Sequence, residues 1–440
     1  MFSNDRARRA LWSLAFVGLT PATLLAADSV LISPSVSPPV EPAAATGPLE
    51  RAPSPVTEAL RRAWQRSPAL QAAEAKLAAA EARAVSAARP IYNPDLELTA
   101  ENADVDTRSV GISQTIDWSG KRRARSDAAA AQTRAAQAER EQVRQRVALQ
   151  WLGGFSAYRV ACEQVDLGAR RVAVLERFAA LAQRRLAAGD IAPLESDLAE
   201  LALQEAGAQQ AGLLADRAKA HQVFAVIAGD DAARLPELPR RLPPQATLPL
   251  APATLDALPA LRQAVAEVDA ADARIGVAER DRRPDPTLSL TGGRVTNGPV
   301  SDKVIGIDVR IPLFVRNDYS PDVGAARAAA DEAAATLHER RLFAVAEAEQ
   351  AATSYNALRD AWQTWERSRA ASADDRAALL QRLWETGELS TADYLVQLKQ
   401  SIDTELSATS LRARAWQAFA DWLAASGGLD RWLGLEGSAP

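Results

Sequence analysis

Two acidic residues occupy equivalent places in two similar stretches of the chain. Glu195 lies six residues after Gly189, and Asp393 lies six residues after Gly387. When several copies of such a carboxylate come close together, their negative charges repel one another. The carboxylates then take up a proton or bind a cation. Alternatively, each carboxylate marks the start of a helix, where the helix dipole favours negative charge. The spacing alone leaves both interpretations open.

Residues that commonly serve in catalysis or metal binding are few and isolated. The two histidines, His221 and His338, lie far apart in helical surroundings, and neither has a second ligand at the spacing of a metal site. Cys162 is the single cysteine, which excludes a disulfide within one chain and predicts a small buried residue. The sequence contains no glycine-rich phosphate loop and no nucleophile elbow. It therefore predicts no enzyme activity, no cofactor and no metal site.

The elements that position the two carboxylates belong to a duplicated unit. The offset between matching positions grows only from 190 to 198 residues along the chain, which indicates one repeated structure with small loop insertions. Each repeat is predicted to contain a short helix, a pair of strands and a long helical hairpin. The matching segments are residues 93–99 with 283–290, 110–116 with 305–311, and 188–195 with 386–393.

The repeats set the predicted domain boundaries. The first repeat spans residues 56–229, with strands at about 94–101 and 109–118 and a helical hairpin at 121–228. The second repeat spans residues 254–426, with strands at about 285–292 and 303–313 and a hairpin at 322–426. Each repeat opens with one helix, at 56–88 and 254–282. A proline-rich connector at 230–253 joins the repeats, and residues 427–440 form a C-terminal tail.

The long helices are the dominant predicted feature. Residues 121–188 contain no proline, and at about 1.5 Å per residue they predict a helix of roughly 100 Å. Residues 322–386 predict a second helix of similar length.

The predicted strands alternate between apolar and polar residues. Ile307 and Val309 point to one side of the fourth strand, whereas Asp308 and Arg310 point to the other. A half-buried soluble sheet and a membrane strand share this alternation. Aromatic residues, which favour membrane interfaces, gather at the helix-proximal ends of the strands. Because four strands cannot close a barrel and lipid does not tolerate open edges, a membrane location would require several copies to share one barrel, with Asp308 and Arg310 in its lumen.

The N-terminus predicts export from the cytoplasm. Residues 1–27 combine arginines with an apolar run that ends in small residues, which is typical of a signal peptide, and residues 28–55 form a proline-rich linker. Beyond them no apolar run approaches the roughly 20 residues of a membrane-spanning helix, so membrane insertion would have to use strands. The net charge is −5, with acidic and basic residues mixed along the helices, which argues against nucleic-acid binding.

Together these motifs resemble the TolC-type outer-membrane efflux proteins, the outer membrane factors of tripartite efflux systems. The resemblance covers residues 56–426 and rests on the two strand entries at 93–95 and 283–286, the strand segment 111–114 and the two glycine turns. Residues 311–317, with the Ala-rich segment that follows, are similar to the cobalt-zinc-cadmium resistance branch. The Asp-Tyr-Ser-Pro sequence at 318–321 departs from that branch, which usually has Gln-Gly there.

The resemblance implies a fold and a set of partners. The fold is mainly α with a β-barrel part: a homotrimer whose protomers each give four strands to a shared 12-stranded barrel in the outer membrane. The helices continue as a periplasmic coiled-coil tunnel. The implied partners are outer-membrane lipid, a periplasmic adaptor (membrane fusion) protein and an inner-membrane RND-type transporter that supplies the energy.

The resemblance also assigns roles to residues at the hairpin ends. Grooves for the adaptor would be formed by five residues: Arg185, Leu186, Gly189, Leu383 and Gly387. A periplasmic gate would be formed by Glu195, Trp384 and Asp393. Leu389 and Val396 stand where the family usually has an arginine and a second acidic residue, which predicts a more hydrophobic lock. Each of these residues can also be explained as an ordinary turn or helix-start residue.

Two classes of function follow from these features. The first is a passive exit duct, with heavy-metal cations as one candidate cargo and drugs or polypeptides as others. The second is a periplasmic coiled-coil scaffold, structural or secretory, that conducts nothing. The alternating strands favour the duct, but a wide duct has little need to recognise its cargo, so the sequence leaves the cargo open.

Overall fold

A computed structural model describes residues 51–229, 239, 241–368 and 373–434. The predicted signal peptide and most of the 28–55 linker lie outside this part of the chain, as do residues 230–238 of the connector. The helices within it are α1 (Ser54–Arg66), α2 (Pro68–Ala88), α3 (Lys121–Ala188), α4 (Pro193–Ala228), α5 (Pro252–Asp256), α6 (Pro259–Asp281), α7 (Ser320–Ser368), α8 (Ala373–Glu385), α9 (Thr391–Ala425) and α10 (Leu429–Trp432). The strands are β1 (Asp95–Glu101), β2 (Val105–Thr115), β3 (Thr287–Asn297) and β4 (Val300–Arg310).

The helix that was predicted at the start of each repeat is in fact two helices. The break falls at Ser67 in the first repeat and around Leu258 in the second, in each case directly before a proline. The proline ring disfavours the helical conformation for the residue before it, whereas proline itself is well suited to the first position of the next helix. Ser67 also caps α2, because its hydroxyl accepts a hydrogen bond from the Leu70 amide at 3.3 Å.

The helix α3 is unbroken over 68 residues, as the sequence predicts. It packs along α2, α4, α6 and α9, and alanine is prominent among its buried residues. In the second repeat, α7 is described to Ser368 and α8 begins at Ala373; the predicted join at residues 369–372 lies outside the described residues.

The four strands form one antiparallel sheet in the order β1-β2-β3-β4. The strands extend closer to the hairpin turns than predicted: β2 begins at Val105 and β3 continues to Asn297, so each strand pair is joined by a short turn. The helix-proximal ends predicted at residues 118 and 313 were wrong, since β2 ends at Thr115 and β4 at Arg310. Proline lacks an amide donor, and Pro312 therefore cannot continue the ladder of β4.

The described part of the predicted tail, residues 427–434, belongs to the main core; residues 435–440 lie outside the described ranges. Leu429, Trp432 and Leu433 are buried there among residues of α1, α3 and α9. The Ala52 amide donates to the Trp432 carbonyl at 2.8 Å, so the end of the predicted linker is also fixed in place. The apolar side chains of this segment fill the space between the helices, which is why it packs despite its short length. Within the described ranges, no helix is long and apolar enough to cross a membrane.

A buried ion pair joins the sheet to the helices. The Lys121 ammonium at the start of α3 lies 3.0 Å from the Asp285 carboxylate, and the two side chains are only 8% and 2% exposed. The Tyr92 hydroxyl donates to the same carboxylate at 2.8 Å. Asp117 caps α3 by accepting the amides of Lys121 and Arg122, each at 2.8 Å. Residues from both repeats therefore meet at this junction.

We expect Asp285→Asn to destabilise the protein by about 3–5 kcal/mol, because it leaves the Lys121 charge buried without its counterion. Chemical denaturation followed by circular dichroism in detergent measures the loss. The matched control is Glu279→Gln, which breaks the exposed pair with Arg327 and should cost about 0–1 kcal/mol. Equal losses in the two variants would contradict the importance of the junction.

Candidate functional site

The sheet has one apolar face and one polar face, and the strand register aligns both. Along the middle of the sheet, Ile112 lies opposite Leu290, which in turn lies opposite Ile307. The apolar face consists of Leu96, Leu98, Val110, Ile112, Leu288, Leu290, Ile305, Ile307 and Val309. The polar face consists of Asp95, Glu97, Thr99, Ser113, Thr115, Thr287, Ser289, Thr291, Asp308 and Arg310.

The apolar face is open in the single chain. Ile305 is 83% exposed and Ile307 is 72% exposed, and no described element covers them. Monomeric soluble proteins rarely expose an apolar surface this continuous. The two outer strands, β1 and β4, each pair on one side only in the described sheet, so a row of backbone donors and acceptors is also free at each edge. The sheet thus needs both an apolar environment and further strands.

Asp308 and Arg310 lie on the polar face, opposite Ser289 and Thr287 respectively. Their predicted role in a lumen requires a closed barrel and stays a prediction.

The two glycine turns follow α3 and α8. Gly189 has φ +82° and Gly387 has φ +79°, the left-handed conformation that favours glycine. Each turn ends its helix with paired backbone hydrogen bonds, such as Asp190 N to Arg185 O at 2.9 Å and Glu388 N to Leu383 O at 2.9 Å. Both glycines are exposed. This arrangement fits either interpretation of the turns, as reversals alone or as docking surfaces.

A chain of hydrogen bonds joins the two hairpins near these turns. The Trp384 indole N–H donates to the Thr391 hydroxyl at 2.9 Å, and that hydroxyl donates to the Glu195 carboxylate at 2.6 Å. Trp384 is 2% exposed and Glu195 is half-buried. We call these three residues the tip triad. The structure thus brings together two of the three predicted gate residues through a threonine that the sequence analysis missed.

An aromatic cluster surrounds the tip triad. The ring of Phe178 lies 4.6 Å from that of Trp384 and 4.3 Å from that of Tyr394. The Arg185 guanidinium lies over the Trp384 ring at 4.8 Å, a cation–π contact. Through this contact Arg185 stabilises the tip within the chain, whether or not it also contacts a partner. Burial within the same cluster raises the pKa of Tyr394 to about 12.

Asp393 is in a different environment from Glu195. The Asp393 amide donates to the Ser390 hydroxyl at 3.1 Å, and that hydroxyl donates back to the Asp393 carboxylate at 2.7 Å. This reciprocal arrangement caps α9 and resembles a capping box. Asp393 is exposed. Two of the predicted docking residues, Leu186 and Leu383, are half-buried. The helix-start role therefore accounts for the contacts that Asp393 makes within the chain.

An uncovered apolar sheet joined to long helices is typical of a membrane protein. A family described as "Outer membrane efflux protein" matches residues 59–230 and 250–428. The chain belongs to this outer-membrane family, as its motifs predict.

Several curated relatives come from metal-resistance systems. The cobalt-zinc-cadmium resistance protein CzcC of Cupriavidus metallidurans is 31% identical over 288 residues, which cover 63% of this chain and 66% of CzcC. The nickel-cobalt-cadmium resistance protein NccC of Alcaligenes xylosoxydans is 27% identical, with 66% of this chain and 68% of NccC covered. The match to CzcC thus spans just under two thirds of that relative's length.

Solved structures share the fold. A membrane protein of Pseudomonas aeruginosa has a TM-score of 0.72 at 19% identity, with 86% of this chain and 94% of that chain covered. The outer membrane protein VceC of Vibrio cholerae has a TM-score of 0.68 at 20% identity, with 84% and 96% covered. The transmembrane channel CusC has a TM-score of 0.69 at 16% identity, with 85% and 92% covered.

Proposed function

We propose that the protein is the outer-membrane duct of a tripartite efflux system, a passive channel rather than an enzyme. Three copies would share a 12-stranded barrel in which the apolar face contacts lipid and the polar face lines the lumen. The observation that carries this proposal is the register of the sheet: in the part nearer the helices it places the apolar side chains of all four strands on one face, with Gln114 as the exception, while both edges are free. Closure by further copies would satisfy both edges. A scaffold in the periplasm would have no use for the apolar face.

The proposal predicts opposite effects for neighbouring substitutions in β4. Ile307→Lys places a charge on the lipid-facing side, where it costs about 2–4 kcal/mol near the bilayer midplane, so this variant should fail to assemble. Asp308→Lys changes the polar face and should assemble and conduct. Crosslinking measures the trimer, and planar bilayers measure the conductance. A wild-type trimer that inserts but does not conduct would contradict the duct, and equal defects in both variants would contradict the face assignment.

We propose that the tip triad holds the inner mouth of the duct closed. Trp384 and Thr391 belong to the second hairpin and Glu195 to the first, so separation of the hairpins must break the hydrogen bond between Thr391 and Glu195. Asp393 would have a second role at this mouth, since its exposed carboxylate could attract divalent cations in a ring of copies.

Thr391→Val and Glu195→Ala should each open the duct more often. Loss of this half-buried hydrogen bond costs the closed form about 1–2 kcal/mol, so the ratio of open to closed channels should rise roughly tenfold in single-channel recordings. Asp393→Ala should mainly weaken block by divalent cations. Thr404→Val, the same substitution at an exposed site of α9, is the matched control. Wild-type gating in both Thr391→Val and Glu195→Ala would remove the tip triad from the gate.

We propose heavy-metal cations as the cargo, on the strength of the named functions of CzcC and NccC. The pump would consist of this duct, a periplasmic adaptor and an inner-membrane RND-type transporter. The adaptor would dock at the turns of Gly189 and Gly387, beside Leu186 and Leu383.

Deletion of the gene should lower tolerance to cobalt, zinc, cadmium or nickel salts, and the wild-type gene should restore it. Leu383→Asp should form conducting trimers in vitro yet fail to restore tolerance, because a new charge in the docking groove opposes adaptor binding. Growth on a panel of metals and drugs measures both effects. Lost tolerance to drugs alone would contradict the metal cargo, and full complementation by Leu383→Asp would contradict docking at this turn.

A further inference from the structure

Three cations form a row across the sheet near its hairpin turns. Arg108 on β2 lies directly opposite Arg294 on β3, and Arg294 lies directly opposite Lys303 on β4. All three side chains are exposed. Neighbouring strands are about 4.8 Å apart, so the row spans roughly 10 Å. We call these three residues the cationic row.

The cationic row lies on the apolar face of the sheet. Val110, Gly292 and Ile305 are aligned with one another across β2, β3 and β4. On each of these strands the cation lies two residues closer to the hairpin turn. Residues two apart on a strand point to the same face. The row therefore ends the apolar face on the side away from the helices.

The charges in the row are not compensated within the part of the chain that the structure describes. None of the three side chains makes an ion pair or a side-chain hydrogen bond there. Asp106, two residues from Arg108 on the same face of β2, lies opposite Thr296 and makes no ion pair with the row in the described residues. Like charges placed directly opposite each other destabilise a sheet. An external anion would remove this repulsion.

We propose that the cationic row binds the phosphate groups of phosphorylated lipids in the outer leaflet of the outer membrane. This inference rests on the proposed function, which places the apolar face in lipid. The row would then lie at the level of the headgroups, above the acyl chains that contact Ile305. Arginine and lysine form strong charge-assisted hydrogen bonds with phosphate. A lipid fits better than a soluble anion, because the row continues directly into the apolar face.

The test uses the full-length protein in phosphatidylcholine vesicles with and without lipopolysaccharide. Lipopolysaccharide should raise the thermal unfolding midpoint of the wild-type protein and bind it with measurable affinity. The triple variant Arg108→Gln/Arg294→Gln/Lys303→Gln should bind at least tenfold more weakly, since each surface cation strengthens binding to anionic lipid about fivefold. Arg108→Lys/Arg294→Lys keeps the charge and should keep most of the binding. Inorganic phosphate should not reproduce the stabilisation.

The matched control replaces three exposed cations on the helices, as Arg83→Gln/Lys219→Gln/Arg262→Gln, and should bind like the wild type. Conductance of every variant is recorded first, which shows that each is inserted and folded. Conducting channels whose lipopolysaccharide affinity is the same in the triple variant and the wild type would overturn this inference alone. Failure of the wild type to insert would overturn the proposed function and this inference together. Stabilisation by inorganic phosphate alone would assign the row to a soluble anion instead.

Discussion

The four strands of one chain cannot satisfy their own edges, and the rest of the structure depends on this constraint. Strands β1 and β4 have free backbone groups on one side each, and the sheet carries an apolar face that no described element covers. In water that face is unfavourable, and in lipid the free edges are unfavourable. Closure with other copies inside a membrane resolves both problems at once. In such an assembly the helices of every copy would lie on the same side of the sheet.

Small side chains dominate the packing of the long helix α3 against its neighbours. Alanine is frequent among the buried residues of α3, which allows neighbouring helices to approach closely along its length. Larger side chains of the described residues gather in three places, around Trp151 in the main core, around Trp362 and around Trp384 at the tips. Between the helices and the sheet, the buried pair of Lys121 and Asp285 ties the start of α3 to the segment that leads into β3.

The sequence was sufficient for the elements that rest on periodicity, namely the long helix α3, the strand pairs and the two faces of the sheet. It failed where a contact between distant segments decides the structure. The segment around Trp432 appeared to be a tail because its partners in α1 and α3 are remote in sequence. Thr391 was missed because a threonine at a helix start usually only caps it, and its bond to Glu195 spans 196 residues. The helix breaks at Ser67 and Leu258, in contrast, were signalled by the prolines that follow them.

The tip triad has a consequence for symmetry. With the 198-residue offset of the turns, Glu195 corresponds to Asp393, Trp384 to Leu186 and Thr391 to Pro193. The second hairpin thus supplies both donors and the first supplies the acceptor, so divergence after duplication has made the hairpins chemically inequivalent. A ring of three copies would present six hairpin tips with similar backbones, and tips of the first and second hairpins would alternate around the ring. Any partner that meets all six must either bind in two distinct ways or engage only every second tip.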